Sequence, residues 1–222
     1  MRGNFTAISF IQTNTIGAGN QFSFLVAGDV LVVLSGVTLG STSSTAFSSA
    51  FGDVEVNVLG TVVSASQITL AAGSSFILGA AGTFLIFTPT LSFAGLFLNG
   101  ASSSARIEGV YSAPEAIGLL TSGGNQVITV TGSITAASAL YLIAGAAGGD
   151  NVINSGHITA TTQGDVGNGT FFNNAIFVEN ANNRITNLAG GVITQPEPMQ
   201  MACGDIRPQP DCPSPTTARL HR

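Results

Sequence analysis

The stretch that decides the fold is Ile128-Thr-Val-Thr-Gly-Ser-Ile134. Apolar side chains fall at every second position, and a glycine interrupts them at a fixed place. Spacing of two is strand spacing, because alternate side chains of an extended chain point to the same side. A glycine there marks a bend that needs unusual dihedrals or has no room for a side chain. The pattern recurs as Val56, Val58, Gly60, Val62, and as Leu78, Ala80, Gly82, Phe84. It recurs again as Ala105, Ile107, Gly109, Tyr111, and as Val152, Asn154, Gly156, Ile158. An imperfect first copy has Val32, Leu34 and Gly36. An imperfect last copy has Ile185, Asn187, the pair Gly190–Gly191 and Ile193. From Gly36 to Gly156 the glycines stand 24, 22, 27, 23 and 24 residues apart, and the step to Gly190 is 34. That last step contains the polar insertion Gln163–Phe172.

Roughly a dozen residues upstream of these glycines lies a second strand signal: Phe22–Phe24, Ile68–Leu70, Ile117–Leu119, Leu140–Leu142 and Ile176–Val178. Turn-forming segments separate the two signals, among them Ser122–Asn125, Ala147–Asp150 and Asn180–Asn183. Short strands repeating at one period, with no helical segment between them, predict an all-β chain folded as a right-handed parallel β-helix. The expectation is about seven coils of ~23 residues over residues 1–195, stacked about 4.8 Å apart. A β-sandwich also has closely spaced strands, but it does not demand a fixed glycine phase. A membrane barrel needs longer strands and aromatic girdles, and this chain has two Tyr and no Trp.

Composition agrees. Only 8% of the 222 residues are charged, Lys is absent, and the net charge is −5. Binding of nucleic acid through a basic patch is excluded on that count. So is a disordered chain, since 45% of residues are hydrophobic. The N-terminus shows no cleavable secretory signal. Phe76–Leu98 is uncharged and long enough to span a bilayer, yet Pro89, the glycines and its fit to the repeat favour buried strands and turns. From Gln195 onward the character changes. Six of the eight prolines and both cysteines fall in residues 196–222. Proline cannot continue a ladder of strands, so this part reads as a disordered tail or a loose cap, or as the product of truncation or a frame shift. For Cys203 and Cys212 two readings stay open, a small closed loop or two incidental thiols.

The stretches Asp150–Ala160 (DNVINSGHITA) and Asn182–Thr194 (NNRITNLAGGVIT) resemble coils of bacterial autotransporter passenger domains. They are also similar to the repeats upstream of the calcium-binding nonapeptides in large RTX-type secreted proteins. The resemblance covers roughly residues 5–195. It implies an extracellular or cell-surface destination, reached without an N-terminal signal, and a scaffold or adhesin-like role. The barrel of the first family and the tandem nonapeptides of the second are missing from the sequence.

Candidate sites are few. Gly145, Gly148, Asp150 and Val152 match four of five positions of a calcium-binding nonapeptide, with Ala146 in place of a glycine. Gly145, Gly148 and Asp150 are therefore the metal candidates and calcium the one candidate cofactor, although a calcium ion takes six to eight oxygens and the next nine residues do not match. The bland alternative is a glycine-rich turn. The carboxylates Asp29, Asp53, Glu55, Glu108, Glu115, Asp150, Asp165 and Glu179 are scattered, and only Asp53 and Glu55 are expected to share a strand face. An enzyme acting on polysaccharide needs several of them in one cleft, so no catalytic residue is assigned. His157 reads as a surface residue. Thr129, Thr135, Thr159 and Thr194 invite comparison with ice-binding solenoids, and Asn154 with Asn187 predicts an inward amide ladder whose members must be paired. The expected partners are surface glycans or proteins, with end-to-end self-association as a further expectation and no nucleic acid.

Overall fold

A computed structural model describes residues 6–87, 94–143, 149–161, 174–179 and 182–196. Over these residues the chain is all-β, and every strand pairing is parallel. The fold is a parallel β-helix.

Its first face is a sheet of eight strands in strict order. They are Ile8–Ile11, Val30–Val33, Glu55–Val58, Ser75–Leu78, Ser104–Ile107, Val127–Val130, Asn151–Asn154 and Arg184–Asn187. The second face runs beside it: Thr15–Gly17, Thr38–Ser41, Thr61–Ser64, Thr83–Ile86, the start of Val110–Ser122, the start of Ser133–Ile143, His157–Ala160 and Val192–Thr194. The two long strands turn a corner onto a third side. There they align with Ile68–Ala71, Ala94–Asn99 and Ile176–Val178. The register shifts between Ala113 and Ile117, where the exposed Pro114 sits, a place in a strand where proline's missing donor does no harm. A two-stranded pairing of Phe22–Ser23 with Phe47–Ser48 serves the earliest coils.

The period-two pattern becomes an interior of stacked columns. Leu31, Val56, Phe76, Ala105, Ile128 and Val152 stand in register on the first face, all buried. Leu39, Val62, Phe84, Tyr111, Ile134 and Ile158 do the same on the second. Where one coil has Phe76, the next has Ala105, in the coil that also carries Tyr111. The Tyr111 ring stacks on Phe84 at 4.9 Å, and Phe84 meets Phe76 edge-on at 5.1 Å. The Tyr111 hydroxyl donates to the Gly118 carbonyl, and a side chain at Gly95 would collide with it.

The phased glycine has a steric cause. A Cβ at Gly60, Gly82, Gly109, Gly132 or Gly156 would overlap a carbonyl oxygen of the preceding coil. None of these five has a positive φ, so lack of room, not an unusual dihedral, selects glycine. The first copy of the repeat needs a correction. Its inward residues are Leu31 and Val33, not Val32 and Leu34. Gly36 lies in a left-handed turn with open space around it, and Val37 holds the position that Gly60 takes in the next coil. Ala80, expected inward, is exposed in a turn. In the last copy Gly191 holds the phase and Gly190 is the inserted left-handed residue.

Phe76–Leu98 resolves into the strands Ser75–Leu78, Thr83–Ile86 and Ala94–Asn99, with residues 88–93 outside the described part. Among the described residues no helix is long and apolar enough to cross a membrane. Residues 197–222 lie outside the described residues, and with them both cysteines and most of the Pro-rich part.

Candidate functional site

Two polar features stand out, one inside a corner of the solenoid and one on its outer surface. The inner one begins two residues ahead of the first inward apolar position of each first-face strand. Asp29, Val54, Ser74, Ser103, Gln126, Asp150 and Asn183 occupy this place in successive coils. The parity of a strand points their side chains the same way as the core residues. Polar groups there have to be hydrogen-bonded, and three of them solve this in one way. Asp29 Oδ1 accepts the backbone N–H of Ala7 at 2.9 Å. Asp150 Oδ1 accepts that of Gln126 at 3.0 Å. Asn183 Oδ1 accepts that of Asp150 at 2.9 Å. In each case the side chain of one coil caps the corner N–H of the coil before, a donor that the sheet itself leaves free.

Asp29 also accepts from Leu25 at 3.0 Å and Val26 at 3.1 Å. The Ala7 donor, with Leu25 and Val26, holds its carboxyl below the usual carboxylate range, against the opposing effect of burial. Asp150 is buried, and its second oxygen accepts the Thr121 hydroxyl at 2.8 Å. Gln126 is buried as well. Its Nε2 donates to the carbonyls of Leu98 at 3.1 Å and Gly100 at 2.9 Å, drawing together a corner bounded by the left-handed residues Gly100, Gly123, Gly124 and Asn125.

Of the metal candidates, Gly145 and Gly148 lie outside the described residues. Asp150 is placed by the structure in the corner, engaged by backbone and by Thr121. Among the described residues no three His, Cys, Asp or Glu side chains gather closely enough to hold a metal ion. The remaining carboxylates are dispersed. Asp53 is not on a strand face with Glu55 as expected: it sits in a left-handed turn with φ 57°, and the strand starts at Glu55, which accepts from Asn57. Glu108 pairs with Arg106 at 2.5 Å. Glu179 accepts from the Tyr141 hydroxyl at 3.3 Å. Asp165 lies outside the described residues. His157 is exposed on the second face. The expected amide ladder is present, with Asn154 Nδ2 donating to Asn187 Oδ1 at 2.7 Å.

The outer feature is the second face itself. One outward column runs Thr38, Thr61, Thr83, Val110, Ser133, His157, Val192, and its neighbour runs Gly40, Val63, Leu85, Ser112, Thr135, Thr159, Thr194. Neither column contains Asp, Glu, Lys or Arg. The first face differs, for Glu55, Arg106 and Arg184 point outward from it. Thr135, Thr159 and Thr194 are direct register neighbours, whereas Thr129 belongs to the first face. Sequence reasoning missed Gln126 and Thr121. The signal for Gln126 was its phase, shared with Asp29, Ser74, Ser103, Asp150 and Asn183 and broken by Val54; nothing in the sequence joins Thr121 to Asp150, 29 residues away.

No family model, no curated protein and no solved structure matches the chain.

Proposed function

We propose that this chain is a non-catalytic, secreted or cell-surface solenoid that binds an uncharged, hydroxyl-rich surface through its second face, as an adhesin-like module or a spacer between other domains. The observation that carries the reading is the pair of uncharged outward columns, uninterrupted over seven coils. The inner carboxylates Asp29 and Asp150 are engaged in capping backbone, which leaves them no evident chemical task. The secreted destination rests on the resemblance of residues 150–160 and 182–194 to coils of RTX-type and autotransporter proteins.

Thr and Ser hydroxyls set among Val and Leu methyl groups and the His157 imidazole, spaced about 4.8 Å along the rod and about 7 Å across it, suit a neutral polysaccharide. Co-sedimentation with insoluble cellulose and chitin tests this. The intact protein is expected in the pellet, and the double variant Thr61→Glu/Thr159→Glu, whose charges are not register neighbours, in the supernatant with its far-UV circular dichroism unchanged. Failure of the intact protein to bind either material, or equal binding by the variant, overturns the reading. The Thr135–Thr159–Thr194 column favours ice as a second reading, in which thermal hysteresis replaces polysaccharide binding.

A further inference from the structure

The two ends of the solenoid are unlike. At the last coil each of the three sides offers an inward apolar residue, Val178, Ile185 and Ile193. Their register neighbours one coil earlier, Leu142, Val152 and Ile158, are fully buried, yet these three are 38%, 42% and 39% exposed. Leu188 and Val192 add exposed apolar surface beside them. The core is open at this end, and the strands Arg184–Asn187 and Val192–Thr194 are the last members of their sheets. At the first coil, the columns that end in Ile185 and Ile193 begin with Ser9 and Thr15, each bearing a hydroxyl.

A sheet edge over an open apolar interior calls for a partner. A second copy can stack on it in two ways. Head to tail, Ile185 meets Ser9 and Ile193 meets Thr15, which encloses two hydroxyls among apolar side chains, where each needs a hydrogen-bond partner. That stacking also leaves an open end on every added copy and grows without closing. Tail to tail, apolar meets apolar, and a two-fold axis closes the assembly at two copies. The charges agree with the second arrangement. Glu179 follows the third-side strand Ile176–Val178, and Arg184 opens the first-face strand, so the two flank one corner of the last coil. Both are exposed, and Arg184 has no ion pair among the described residues. A two-fold axis through that corner sets Glu179 of each copy against Arg184 of the other. The result is an apolar centre with opposite charges at its rim, the layout of a specific interface.

We infer that two copies of this chain pair through their last coils. Val178, Ile185 and Ile193 form the shared apolar centre, and Glu179 with Arg184 fixes the orientation. The product is one longer rod with a first coil at either tip.

Sedimentation velocity of the full chain tests this, in reducing buffer so that Cys203 and Cys212 cannot link chains. At about 0.1 mM, well above a micromolar Kd, a dimer is expected with no larger species. Ile193→Glu is expected to be monomeric, whereas Ile8→Glu, on the exposed outer side of the first coil, stays dimeric. Glu179→Arg and Arg184→Glu each weaken the dimer about tenfold, and the two together restore it. These two positions are exposed, which keeps the test independent of any loss of fold in Ile193→Glu. An intact chain that is monomeric at about 0.1 mM overturns the inference, and so does a mass that keeps rising with concentration. A double reversal no tighter than the single ones overturns it too.

Discussion

At Gly132 the backbone of one coil lies against the Gly109 carbonyl of the coil before it, with no space for a methyl group. Gly132→Ala is therefore expected to cost about 1–3 kcal/mol through overpacking, read from urea unfolding. Gly36→Ala meets no neighbour, and its cost of about 1–2 kcal/mol arises from the left-handed backbone alone. The two substitutions separate by crystal or NMR structure: the first displaces the neighbouring coil, and the second leaves it in place. An undisturbed Gly109–Gly132 contact in the first variant contradicts the steric account. Asp29 gives a pH dependence of definite sign. Its folded-state pKa lies below its unfolded value, so its stabilisation is complete above the ordinary carboxylate range and is lost as pH falls through the lower folded value. Asp29→Asn removes this acid-side slope, and thermal unfolding from neutral pH to about pH 2 shows it. A slope of equal size in the variant contradicts the role given to the carboxylate. Glycine phase was legible because it repeats in sequence; its cause was not, because the offending carbonyls belong to a different coil.

At the scale of strands and corners, the capping of one coil's N–H by the next coil's side chain holds the starts of Ile8–Ile11, Val127–Val130 and Asn151–Asn154. Asp150→Ala leaves the Gln126 N–H and the Thr121 hydroxyl without their acceptor in a buried corner. The expected cost is about 1–3 kcal/mol for each donor left unpaired. Hydrogen exchange locates the damage: protection falls at Val127–Val130 and Asn151–Asn154, while Val30–Val33 stays protected. A uniform loss along the rod contradicts a local clamp. Period-two alternation made the strands readable where apolar residues alternate with polar ones, as in Glu55–Val58, Val127–Val130 and Asn151–Asn154. It failed at Val32 and Leu34 because Val30–Val33 is apolar on both sides, so alternation alone carries no phase. It also failed for Asp53, whose left-handed turn has no signature in spacing.

For the molecule as a whole, a solenoid accounts for the low share of charge: apolar side chains fill the inner columns, and the outward positions carry uncharged polar residues and further apolar ones, with Glu55, Arg106 and Arg184 among the few charges. The outer face was only half readable. Thr135, Thr159 and Thr194 were noticed in sequence, but Thr38, Thr61 and Thr83 join the same face through register, and Thr129 leaves it. Calcium enters at this scale too. With the Asp150 oxygens occupied by Gln126 and Thr121, addition of a chelator is expected to leave the melting temperature unchanged; a fall marks a bound ion that stabilises the fold. The uncharged second face makes the sharpest demand. Surface charge interactions weaken with ionic strength, whereas contacts of hydroxyl and methyl groups do not. Retention of the intact protein on cellulose and chitin, measured from low salt to about 1 M, is predicted to stay constant or rise slightly. A steep loss of binding with salt contradicts recognition through this face.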